Sequence, residues 1–127
     1  MTVLGQNIEN YKWQNRVVVL MVNEENHPDL RTQLALFSQQ LSELDDRKMI
    51  VIQSYPDFYK VGLDNRIKRT SNLQYFENKQ QNVSFEVLLY GLDGGLKYRK
   101  EGVVNPEELY KIIDVMPMRQ YEVDNKN

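Results

Sequence analysis

The stretch Arg16-Val17-Val18-Val19-Leu20-Met21-Val22-Asn23 constrains the fold more than any other part of the chain. Apolar and polar residues do not alternate along it, so both faces call for burial, and its β-branched valines favour pleated backbone over helix. Such a strand belongs in the middle of a sheet with helices laid over it. Its apolar part, the six residues Val17 to Val22, is far short of the roughly 20 that cross a bilayer, so the chain reads as soluble with no membrane span.

After this strand, Asn26-His27-Pro28-Asp29 puts proline in a first helical turn and an acid at the positive helix end. Leu30, Leu34, Phe37, Leu41 and Leu44 then recur at intervals of four and three, which predicts one helix from Pro28 to Leu44 with a single apolar stripe. Met49 to Gln53 is a second apolar strand, and strand, helix, strand in this order makes a right-handed βαβ unit with parallel strands. Phe85 to Tyr90 and Leu96 to Lys100 flank Asp93-Gly94-Gly95, a strong hairpin signal. Asn105-Pro106-Glu107-Glu108 starts a further helix that carries Leu109, Ile112, Ile113 and Met116 on one face and stops at Pro117. Between Tyr55 and Asn82 no period is sustained, and a helix from Ser71 to Gln80 is the one element expected there. The expectation is a single domain over residues 1–127, with loosely ordered tails at 1–10 and 121–127. Its fold class is three-layer α/β: a central mixed sheet of about four strands flanked by helices, in the element order of the thioredoxin fold.

Composition decides what chemistry such a domain lacks. With no cysteine there is no disulfide, no thiolate nucleophile and no cysteine metal site, and the lone histidine, His27, rules out a histidine-rich one. Neither a metal nor a cofactor is therefore expected. Sixteen basic against eighteen acidic residues leave a net charge of -2, which does not favour a chain that lives on phosphate contacts. Nucleic acid is not an expected partner; an unidentified protein or small ligand is. No basic patch leads into an apolar stretch in the first fifteen residues, so the setting is cytoplasmic unless an export signal has been trimmed.

Four residues stand out as ligand-binding candidates: His27, Asp29, Arg99 and Arg119. A histidine at a helix start can act as a base or hold an anion, against the plainer role of a solvent-facing residue beside a proline. Asp29 complements the helix dipole. Arg99 and Arg119 can clamp a carboxylate or phosphate if the hairpin and the last helix approach each other; otherwise each pairs with Asp114, Glu101 or a helix carboxyl end. Arg119, set just past a helix that ends at Pro117, is expected to satisfy open carbonyls and to contribute about 1 kcal/mol. Trp13 is expected to seal the core edge and Arg16 to pair with a carboxylate, while Met116 and Met118 fill a core edge. The acidic loop Glu24 to Asp29 could hold a cation, although its spacing fits no known loop, and Arg66, Lys68 and Arg69 form a solvated basic stretch.

Tyr11-Lys12-Trp13-Gln14-Asn15-Arg16, Asp46-Arg47, Val87-Leu88-Leu89-Tyr90-Gly91-Leu92-Asp93-Gly94-Gly95-Leu96-Lys97 and Ile113-Asp114-Val115-Met116-Pro117-Met118-Arg119-Gln120 carry a resemblance. Over about Ile8 to Arg119 the chain resembles a peroxiredoxin-related domain of unknown function, found alone in bacteria and within secreted sushi-repeat proteins and coiled-coil-domain-containing protein eighty. The resemblance implies a thioredoxin-like fold with no settled activity, and through those secreted relatives an exported or periplasmic setting. In such folds the reactive cysteine sits at the start of the first helix, where this chain has His27, Pro28 and Asp29. The arginine and the cis-proline that accompany it are missing too, since no arginine lies between Asn82 and Tyr90 and no proline between Pro56 and Pro106. The expected function is a non-catalytic module that binds a protein or small ligand. Two alternatives stand beside it: an enzyme with non-thiol chemistry at the first helix start, and a redox partner that receives a cysteine in trans.

Overall fold

Strand β1 (Arg16–Val22) is buried along its whole length and lies inside a mixed sheet, as its unbroken apolar pattern requires. The computed structural model describes residues 11–63, 69–70 and 82–125. After β1 come α1 (Pro28–Ser38), α2 (Leu41–Asp46), β2 (Met49–Ser54), β3 (Phe58–Val61) and the two-residue β4 (Arg69–Thr70). The chain then forms β5 (Phe85–Tyr90), β6 (Leu96–Glu101), α3 (Pro106–Asp114) and α4 (Pro117–Asp124). The sheet order is β4-β3-β2-β1-β5-β6, with β1 and β2 parallel and every other pairing antiparallel.

Val18, Leu20 and Val22 of β1 pack with Val87 and Leu89 of β5 against Leu30 and Phe37 of α1, Leu44 of α2, and Leu109 and Ile113 of α3. Val17, Val19 and Met21 point the other way, into another cluster with Ile52, Leu88 and Tyr90. Burying each such side chain contributes roughly 1.5 to 3 kcal/mol, so β1 is the strand on which both clusters depend. Gln33 is also fully buried on α1, and its amide both donates to and accepts from the Val104 backbone, at 2.8 and 2.7 Å. That pair holds the loop ahead of α3 without a strand. The helix expected over Ser71 to Gln80 lies outside the described residues, as do residues 1–10.

Three expectations need correcting. The sheet has more than about four strands: five of at least four residues, plus β4 at its edge. β3 is hidden because Lys60 interrupts its four residues, yet Lys60 is buried, with its ammonium 3.0 Å from Glu25 and 5.3 Å from the centre of the Tyr55 ring. The single helix Pro28 to Leu44 is two, broken at Gln39 and Gln40, with no glycine or proline to mark the break. A stripe at alternating intervals of four and three drifts about 20° per heptad on a straight helix. The break resets the stripe, keeping Leu44 buried and leaving Leu41 60% exposed.

Finally, Pro117 ends nothing permanently. It is the first residue of α4, so the expected loose tail is helical through Asp124. The helix α4 has no apolar stripe, and its one buried residue is Arg119; ionic contacts dock it.

Candidate functional site

At the carboxyl end of β1, His27 caps α1, its Nδ1 accepting from the Asp29 backbone N–H at 3.1 Å. Its Nε2 lies 2.9 Å from Ser84 Oγ, a partner 57 residues away that no local pattern pairs with it. The cap decides the direction of this contact. With Nδ1 accepting, the neutral ring carries its proton on Nε2 and donates to Ser84, which is the wrong way round for a base that activates a hydroxyl. Asp29 lies in the first turn, where it complements the helix dipole. Among the described residues no three His, Asp or Glu side chains group to hold a metal ion, and Glu25 of the acidic loop is engaged by Lys60.

At the amino end of β1 the arginines gather. Arg47 makes a two-pronged pair with Asp114, at 3.0 and 2.9 Å, reaches Glu43 at 2.9 Å and lies 4.2 Å from the Tyr110 ring centre. The hydrogen bonds it donates to Asp114, working against burial, hold the Arg47 guanidinium above its ordinary value, and Arg47 in turn holds Asp114 below the usual carboxylate range. Arg119, 5% exposed, donates to Asp46 Oδ2 at 2.6 Å, to the Asp46 carbonyl at 3.0 Å and to Asp114 at 3.2 Å. Burial disfavours its charge, but Asp46 and Asp114 more than compensate and the net shift is upward. Arg16, 1% exposed, donates from Nη1 to the Arg47 carbonyl at 2.8 Å and to Glu122 at 3.2 Å. The sequence pieces Arg16, Asp46-Arg47, Asp114 and Arg119 thus converge in one network that ties α2, α3 and α4 to the start of β1.

Arg99 stands apart from this network: its Nη2 is 3.2 Å from the fully buried Glu86 of β5. Arg119 draws its partners from α2, α3 and α4, Asp114 among them, so each of the two arginines is paired with carboxylates of its own.

Against the arginine network lies an open groove of about 720 Å³. Trp13 forms one wall and Met118 with Tyr121 of α4 the other, and Lys48 and Leu92 also line it. Instead of sealing the core edge, as its place ahead of β1 predicts, Trp13 is 60% exposed, and Tyr121 is 69% exposed. Trp13 is held out by its backbone, which has φ +68° and is fixed by its N–H on the Leu92 carbonyl at 2.6 Å. Lys48 also has positive φ, +53°, at the end of α2, where glycine is the usual residue. Two of the three non-glycine residues with positive φ among those described line this groove, and backbone strain of this kind collects at functional sites. Neither Lys48 nor Tyr121 stands out in the sequence. A proline at the first position of a short helix was the one signal that residues 117–124 are ordered.

The chain belongs to the family described as Domain of unknown function (DUF4174), whose profile matches residues 7–122. No curated protein matches it.

Proposed function

We propose that this chain is a non-catalytic binding module with a thioredoxin-like arrangement, and that it holds a small ligand in the groove between Trp13 and α4. The order β2-β1-β5-β6, with β1 and β2 parallel, the β5–β6 hairpin antiparallel and α1 and α3 on one face, supports the thioredoxin-like part. The resemblance to a peroxiredoxin-related domain, and to its secreted occurrences, belongs to the same proposal. What carries the binding part is the exposure of Trp13, a large aromatic kept out of the core by a strained backbone in the wall of a groove. The groove volume falls within the roughly 300 to 1,000 Å³ of small-molecule sites, which favours a small ligand over a protein. Of the four candidates, Arg119 contributes to the groove, while His27, Asp29 and Arg99 serve the scaffold.

A fragment screen by NMR tests this. Hits are expected to shift the Trp13 indole and the Tyr121 ring, and Met118→Arg should abolish the shifts in a chain that still folds. Hits that cluster at His27 and Ser84 instead would favour a different reading, an enzyme at the first helix start, for which the 2.9 Å contact of those two side chains is the motivating observation.

A further inference from the structure

Charge, and not apolar packing, fastens α4. Arg119 is the one residue the helix buries, while its apolar side chains Met118, Tyr121 and Val123 all stay exposed. Lifting α4 therefore uncovers little new apolar surface, the term that ordinarily fixes a helix to a sheet. What holds it is Arg119 on Asp46 and Asp114, together with Glu122 on Arg16. Both halves of such pairs regain water when they part, so desolvation cancels much of their attraction and the net hold is small. Packing is also incomplete where the helix begins, since Leu92, Met116, Pro117 and Met118 line a recess of about 150 Å³.

The two walls of the groove differ accordingly. Trp13 stands on backbone tied to the rest of the chain: its N–H donates to the Leu92 carbonyl, and beside it the Arg16 N–H and the Asn15 side-chain amide both donate to the Lys48 carbonyl, at 2.9 and 3.2 Å. The facing wall is α4 itself, through Pro117, Met118, Tyr121 and Glu122. We infer that α4 is a latch, which opens as one unit about Val115 and Met116 while the sheet stays folded. Those two residues join α3 to α4, Val115 is exposed, and hinges commonly fall at such element ends. Opening takes away one wall of the groove, so the latch gates whatever the groove holds; only this gating rests on the reading proposed above.

Amide hydrogen exchange of the full chain, followed by NMR, tests the latch without a ligand. An eight-residue helix does not persist once undocked, so its amides exchange whenever it lifts. With about one molecule in a hundred open at equilibrium, the amides from Gln120 to Asp124 should share one protection factor of about 100, far below that of β1. Ile52→Val, in a core cluster that includes no residue of α4, should lower the protection of β1 about fivefold and leave that of α4 unchanged. Arg119→Lys, which keeps the charge and loses the guanidinium fork, should lower α4 protection about tenfold. The gentler Glu122→Gln should lower it about threefold. The latch is overturned if α4 loses protection together with β1 in Ile52→Val, because the helix then leaves only when the whole chain unfolds. A protection that decays stepwise from Gln120 to Asp124 is fraying and overturns it equally, as does α4 protection that neither Arg119→Lys nor Glu122→Gln lowers. A fragment screen without hits would remove the ligand and leave the latch standing.

Discussion

The two ends of β1, roughly 20 Å apart along seven residues, handle polar groups in opposite ways. At the carboxyl end, where a thioredoxin-like catalyst keeps its reactive group, the side chains that suggest chemistry are engaged in local pairs: His27 caps a helix and donates to Ser84, and Lys60 meets Glu25. At the amino end Arg16, Arg47 and Arg119 are drawn into the protein against Glu43, Asp46, Asp114 and Glu122, and exposed aromatics stand beside them. In sequence the carboxyl end resembles a site, and in space it is a cap. The amino end, where the sequence marks only Arg119 as a candidate, organises three helices and borders an open groove of about 720 Å³. Position in a fold marks where chemistry can sit, and the groups left unsatisfied there mark whether any does.

The largest test of this contrast is Arg119→Ala. The sequence alone points to about 1 kcal/mol from capping carbonyls, but removing a buried cation that serves Asp46 and Asp114 together should cost more, about 2 to 3 kcal/mol, since partly exposed partners soften the loss. Urea denaturation measures it. A loss under about 0.5 kcal/mol would mean that the network does not hold α4, and would break the comparison at its stronger end.

The carboxyl end should give a smaller figure with a telling rescue. His27→Ala removes a helix cap and is expected to cost about 1 kcal/mol, whereas His27→Ser restores a capping oxygen and most of that stability. If His27→Ser stays as unstable as His27→Ala, the ring is held by Ser84 and Phe85 more than by its cap, and the end is more specialised than a helix start needs.

Much of the scaffold was legible because local pattern and tertiary demand agree there. The valine run, the proline starts of α1 and α3 and the Asp-Gly-Gly turn each state their own structure; Gly94 takes φ +82° and the Asp93 side chain accepts from the Gly95 N–H. β3 and α4 were hidden for the reverse reason. Each buries a charged residue, Lys60 or Arg119, and nothing in one sequence says that Glu25 or Asp46 waits 35 or 73 residues away. The groove was less legible still. It depends on the backbone angle of Trp13, and no pattern of side chains predicts a tryptophan turned outward.

The smallest expected effect is a difference in acid response between the two ends. Arg47 first, and Arg119 to a lesser degree, hold Asp114 below the carboxylate's ordinary value. The folded chain therefore releases that proton more readily than the unfolded chain, whose Asp titrates near about 3.9. Stability from this group is complete above about pH 4 and is lost as pH falls through the lower, folded-state value. Because the Asp114 side chain is 42% exposed, solvent screens the pair, and the acid-dependent share should be about 0.5 kcal/mol. Chemical denaturation from about pH 6 down to about pH 2.5 should show a steeper acid limb in the parent than in Asp114→Asn. An acid limb as steep in Asp114→Asn as in the parent would place the acid-sensitive anchor of the fold outside the arginine network, which would then be the passive end.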